Sequence, residues 1–319
     1  TYKGGIKTII WTDSLQTLLM LLAVGFTVFY ISDSIGLNLG NMVNTIAESE
    51  FSKMFYFNDW HDKRYFFKQF LSGAFITIVM TGLDQDMMQK NLSCKNIREA
   101  KKNMYWFSFI LVPVNLLFMS LGVLLFLFAS RNGITPPSQT DDLFPIIATQ
   151  GYLGSVVAVF FILGLIAAAY SSADSALTAL TTSFTVDILN PSGKSELEIK
   201  KLRKRVHVFI SIILLTVILI FKLINNQSVI SALFTVAGYT YGPLLGLYGF
   251  GLFTKFSVRD KWVPLVAILS PLICVVLNYY SEEWFFGYQF GFELLILNGI
   301  ITFLGLYVIH IRKTSADKN

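Results

Sequence analysis

Charged residues are scarce in this chain of 319 residues: Asp, Glu, Lys and Arg together make up 14%, against about 25% in an ordinary soluble domain. A soluble protein of this size covers its surface with polar groups, and too few are present here to do so. Hydrophobic residues reach 54% and the mean hydropathy is +0.60. Lipid is therefore the solvent that suits most of the exterior. Cysteine is rare as well. Cys94 lies in a lysine-rich stretch and Cys274 in an apolar run, which argues against a disulfide. The three histidines, His61, His207 and His310, are scattered without metal-ligand spacing. The same scatter excludes the paired-His or Ser/His arrangement that an intramembrane enzyme needs, and no filter repeat points to a channel. Low-complexity tracts, short-period repeats and the alternating segments of barrel strands are also missing. The chain begins at Thr1 with no methionine and no signal-peptide cleavage pattern, and reads as a segment of a longer protein.

What the chain does contain is a succession of apolar runs. A helix needs roughly 20 apolar residues to cross a hydrocarbon core of about 30 Å. Eight runs meet that requirement: 6–31, 66–89, 104–130, 153–178, 206–224, 229–254, 263–280 and 291–311. The bilayer core offers no partner to backbone N–H and C=O groups, so runs of this length are expected as helices despite their β-branched and aromatic content. The net charge of +5 does not read as a nucleic-acid surface, because the basic residues fall between the runs. With the first run starting in the cytoplasm, only Lys53, Lys63, Arg64, Lys68, Arg131 and Lys222 face outward, and the other 19 of the 25 basic residues face inward. This bias places both ends of the chain in the cytoplasm and supports the count of eight. Between the runs, the aromatic and charged stretch Phe51–Tyr65 is expected as an interfacial helix. Residues 131–152, with Pro136, Pro137 and Pro145, are expected as a capping loop with a short helix. Neither reads as a soluble domain, so 1–319 is taken as one all-α transmembrane domain.

Ionisable groups inside spans are costly and mark function by default. Asp13, in Trp11-Thr12-Asp13-Ser14, lies roughly 10 Å inside the first run. It is either an ion-binding carboxylate or the cap of a helix that begins at Ser14. In the fourth run Ala168, Ser171, Ser172, Ser175, Thr178 and Thr182 follow i, i+3, i+4 spacing and share one face. Small residues at that spacing serve close helix packing, but packing does not require the carboxylate of Asp174. Hydroxyls, a backbone carbonyl and a carboxylate suit a hard cation such as sodium. Ser171 and Ser172 could both turn to one ion beside the carbonyl of Ala168. In the second run, Thr81-Gly82-Leu83-Asp84-Gln85-Asp86 reads either as a broken helix at membrane depth or as a polar helix end. In the sixth run Pro243 removes a backbone donor and marks residues 238–246 as a candidate hinge.

These stretches together resemble the sodium:solute symporter family of sodium-coupled sugar, proline, sialic acid, iodide and vitamin transporters. Gly4-Gly5-Ile6-Lys7 with Trp11-Thr12-Asp13 and Gln16 is similar to one family helix. Asp84-Gln85 through Gln89, then Leu92-Ser93 and Lys95, is similar to a second segment. Ala168 through Leu177 and Gly242-Pro243-Leu244-Leu245-Gly246 are similar to two more. The resemblance implies a five-plus-five inverted-repeat transporter fold. In it 6–31 is the last helix of the first repeat, 66–254 the second repeat and 263–311 two peripheral helices, with the N-terminal helices missing from this chain. It implies sodium-coupled symport of a small polar solute or organic anion, with Na+ as the coupling ion and no enzymatic activity. By the same resemblance Ala168, Ser171 and Ser172 form part of a sodium site. Asp13, Asp174 and Ser175 form a possible second site for sodium or a proton, with Asp174 where the family has a hydroxyl. Asp84 and Gln85 fall on the segment that faces the solute. The expected partners are a solute, sodium and the lipid bilayer, in the plasma (inner) membrane. A transporter-like sensor domain of a larger signalling protein is the alternative.

Overall fold

The computed structural model describes residues 6–224 and 228–311. Gly4, Gly5, Lys3 and the basic residues Arg312, Lys313 and Lys318 lie outside it, as does the side chain of Lys7. In chain order the helices are α1 (Ile6–Ser34), α2 (Leu39–Ala47), α3 (Phe66–Gly82), α4 (Gln85–Leu92), α5 (Ile97–Arg131) and α6 (Leu143–Thr149). They continue with α7 (Gly154–Ser183), α8 (Glu196–Ile224), α9 (Val229–Phe253), α10 (Val263–Tyr279), α11 (Ser281–Trp284) and α12 (Leu294–Val308). A short antiparallel ribbon pairs β1 (Ser257–Val258) with β2 (His310–Ile311).

Among the described residues six helices are long and apolar enough to cross a membrane, or seven if the bent pair α3–α4 is one span. The expected eighth run yields α12, whose 15 residues give a rod of only about 22 Å. Its bounds are set by the preceding turn, in which Gly291 N donates to Glu293 Oε1 at 2.9 Å, and by the loss of helical pairing after Val308. The long helices turn apolar residues outward: Ile212, Leu215, Val217 and Ile218 of α8 are all exposed. In water such a surface would aggregate, whereas in hydrocarbon it is simply solvated.

The chain divides into two compact units, residues 1–53 with 88–228, and residues 54–87 with 229–319. In the first unit α1 packs closely on α7, with α5 and α6 beside them. Val24 and Ile31 of α1, Leu124 and Phe128 of α5, Ile147 of α6 and Val157 of α7 form its buried core. At its far end α7 runs on through a π-helical turn at Phe184–Ile188.

In the second unit α9 packs on α12 and α10, and Ile76 and Val79 of α3 meet Leu295 of α12. Pro243 interrupts the hydrogen-bond ladder of α9, because proline has no N–H to offer the carbonyl of Tyr239 one turn back. Asn298 of α12 supplies the missing donor. Its Nδ2 donates to Tyr239 O at 2.9 Å and to Gly238 O at 3.1 Å. Its Oδ1 accepts from Ser270 Oγ of α10 at 2.5 Å. The helices come this close because α9 presents glycine: a Cβ on Gly246 would fall 2.5 Å from Gly299 O and from Thr302 Cβ.

The segment before α3 differs from expectation. Helix in this loop lies at α2, which Asn38 caps by accepting from Asn41 N, whereas Phe51–Tyr65 is mostly turns and irregular backbone. Two aspartates account for the difference. Asp59 Oδ1 accepts from His61 N at 2.9 Å and Asp62 Oδ1 from Arg64 N at 2.8 Å, local bonds that compete with helical pairing. Lys68 then ties this segment down. Its Nζ donates to His61 O at 3.2 Å and Gln289 O at 3.1 Å, and lies 3.5 Å from the centre of the Tyr288 ring.

Candidate functional site

Because α1 begins at Ile6, Asp13 lies about two turns inside a helix and does not cap one beginning at Ser14. A carboxylate at that depth requires partners. They come from the small-residue face of α7, where Gly164, Ser171 and Ser175 are buried. Gly164 lies against the backbone of Leu19 and Met20, which brings the two helices close and sets Ser171 opposite Asp13. Ser171 Oγ donates to Asp13 Oδ1. The other oxygen, Asp13 Oδ2, pairs with Lys90 Nζ at 3.1 Å. One turn beyond Ser171 on the same face, Ser175 is 6% exposed, and among the described residues its Oγ has no hydrogen-bond partner.

The remaining α7 residues are placed differently. Ala168 and Asp174 are half-buried, and Ser172 is exposed. Neighbouring side chains on a helix diverge by about 100°, so Ser171 turns to Asp13 while Ser172 lies on an adjoining edge. Ala168 is one turn before both, on the i, i+3, i+4 row. The donor set of this region is therefore hydroxyl, carboxylate and carbonyl oxygen, the set that hard cations take. Among the described residues no cluster of three His, Cys, Asp or Glu side chains offers an alternative metal centre.

In the second unit the helix does break where its polar residues begin. α3 ends at Gly82, α4 starts at Gln85, and the chain bends by 57° at the break. Asp84 organises that break. Its Oδ1 accepts from Asp86 N at 3.0 Å and Met87 N at 3.2 Å, and its Oδ2 accepts from Tyr241 Oη at 3.3 Å. The side chain thus caps α4, satisfying amides that the helix start leaves open. Gln85, expected beside it as a solute-facing residue, is exposed at the first position of α4.

Oxygen donors facing a carboxylate inside a membrane bundle, together with a broken helix, are what an ion-coupled transporter requires, and the comparison with known sequences agrees. The profile of the Sodium:solute symporter family matches residues 1–257. The chain belongs to that family. The family is one of transporters, not of enzymes. Over 320 residues the chain is 25% identical to the sodium/sialic acid symporter SiaT of Proteus mirabilis, covering 95% of this chain and 62% of that protein. The sodium/sialic acid symporter NanT of Aliivibrio fischeri is likewise 25% identical, over 95% of this chain and 61% of its own length. The human sodium/iodide cotransporter is 25% identical over 85% of this chain and 45% of its length. The chain thus spans less than two thirds of these curated relatives.

Three residues at these sites were not singled out by sequence reasoning. Lys90 reads as one more basic residue of a loop, and only its place at the end of Asp84–Lys90 hints at a partner. Tyr241 reads as part of the Pro243 region, and Asn298 as a lone polar residue in an apolar run. An asparagine in such a run is the signal that could have identified Asn298, since a buried amide must find partners.

Proposed function

We propose that this protein is a sodium-coupled symporter of a small polar solute or organic anion, working by alternating access in the plasma (inner) membrane with both ends of this chain inside. The observation that carries the proposal is Asp13, held inside the α1–α7 packing by Ser171, with the unpartnered hydroxyl of Ser175 one turn away. A membrane carboxylate among hydroxyls is a poor packing element and a good cation site.

In this reading the Ala168 carbonyl and the hydroxyls of Ser171 and Ser172 contribute to one sodium site. Asp13, Asp174 and Ser175 belong to a second site, for sodium or a proton. α1 is the last helix of a first repeat, α3 to α9 form the second, and α10 and α12 follow as peripheral helices. The break between α3 and α4 supports this assignment, because discontinuous helices line the sites of inverted-repeat transporters. Asp84 and Gln85 lie at that break, where a solute would meet backbone groups as well as side chains. Sodium entry down its gradient would also draw on the membrane potential, about 2.3 kcal/mol per charge per 100 mV. The relatives, which are symporters of sialic acid and a cotransporter of iodide, support an anion.

The test is sodium-dependent thermal stabilisation of the full-length protein, repeated with solutes of each class. Ser171→Ala combined with Ser172→Ala removes two oxygen ligands and should raise the sodium concentration for half-maximal effect by about tenfold or more, the equivalent of at least about 1.4 kcal/mol. An unchanged sodium requirement would remove these serines from the site.

A further inference from the structure

Lys90 takes no part in the function just proposed, yet its ammonium lies 3.1 Å from Asp13 Oδ2. That is where a second cation would bind. We propose that Lys90 is a tethered cation that fills the Asp13 site in place of a second sodium, so that the native protein binds a single sodium ion. The inference rests on the sodium-coupled reading above and sets its stoichiometry.

Two observations and one electrostatic argument support it. The Lys90 and Asp13 side chains each retain 29% of their exposure, so the pair lies at the edge of the packing, where an ion in solution could reach the carboxylate if the amine did not hold it. Two unit charges at ion-pair distance from one carboxylate repel each other, so the amine and a sodium ion exclude one another. The tether also gives the amine a high local concentration without any binding step. Third, Ser175 Oγ is buried and has no hydrogen-bond partner among the described residues. A pair that served packing alone would leave nothing unsatisfied nearby, because a buried hydroxyl without a partner is costly. Asp13, Ser171 and Ser175 keep the oxygen set of a cation site, while Lys90 supplies a nitrogen cation that uses only part of it. Lysine suits this role, being a compact charge on a flexible stem.

The experiment counts sodium ions bound by the full-length protein, using equilibrium binding of radioactive sodium to purified transporter without solute. The native protein is compared with Lys90→Gln and Lys90→Met, the second chosen to keep the length of the stem. The native protein should bind one ion with a Hill coefficient near 1, and the variants two, with a coefficient rising towards 2. Two ions bound by the native protein overturn the proposal without any variant. One ion in the native protein and still one in the folded variants overturns the tether alone and leaves sodium coupling intact. No ion in any of the proteins sinks sodium coupling itself, and the tether with it.

Discussion

Ser171 donates its one hydroxyl proton to Asp13, which leaves its lone pairs as the acceptors that a cation would use. Asp84 divides its two oxygens between the α4 amides and Tyr241, so it acts on the shape of the helix break before it acts on any solute. Asn298 joins three helices through its side chain. It is fully buried; its amide donates to two carbonyls and accepts from the Ser270 hydroxyl, which also donates to the Asn298 carbonyl. Asn298→Ala should lower stability by about 1–3 kcal/mol, the cost of leaving buried polar groups unpaired. Chemical denaturation of the full-length protein in detergent measures it, and a loss below about 0.5 kcal/mol would show that water or a shifted side chain takes over. Asp13 could be singled out from sequence because a carboxylate in an apolar run is conspicuous. Its partner could not, because Lys90 lies far along the chain and the two meet only once α4 and the α1–α7 packing are in place.

The spacing between α9 and α12 is fixed by glycine. Gly246→Ala puts a methyl group against the Gly299 carbonyl, a backbone atom that cannot rotate away, and should cost about 1–3 kcal/mol. A melting temperature equal to that of the native protein would show that the helices separate at no cost. The long helices are legible in sequence because a bilayer leaves the backbone only one way to pair over some 20 residues. The break at Leu83–Asp84 is legible for a related reason: a glycine followed by acids and amides stops an apolar ladder and supplies its own cap. Helix outside the spans is less legible. The aromatic content of Phe51–Tyr65 suggests an interfacial helix, but Asp59 and Asp62 fold back onto their own backbone and leave the helix to Leu39–Ala47. Composition records which residues favour a surface, whereas the turn is decided by single hydrogen bonds.

For the whole molecule, the uneven distribution of basic residues is the feature that sets orientation. Cys94 lies half-buried at the junction of α4 and α5, and Cys274 is 0% exposed inside α10. A membrane-impermeant maleimide should therefore label the Cys94 peptide in inside-out vesicles only and leave the Cys274 peptide unlabelled in both orientations, as read by mass spectrometry. Labelling of Cys94 in right-side-out vesicles would invert the topology. The kink in α9 bears on how such a protein moves. Residues 238–246 read as a hinge, since a proline frees the carbonyl of Tyr239 from its own helix, but in the fold that carbonyl is bonded to α12. Opening the kink independently would strip the Tyr239 carbonyl of its donor in a medium that offers no replacement. If residues 238–246 hinge, α12 must therefore travel with α9 as one lever, and a helix that the family resemblance marks as peripheral would share in the movement.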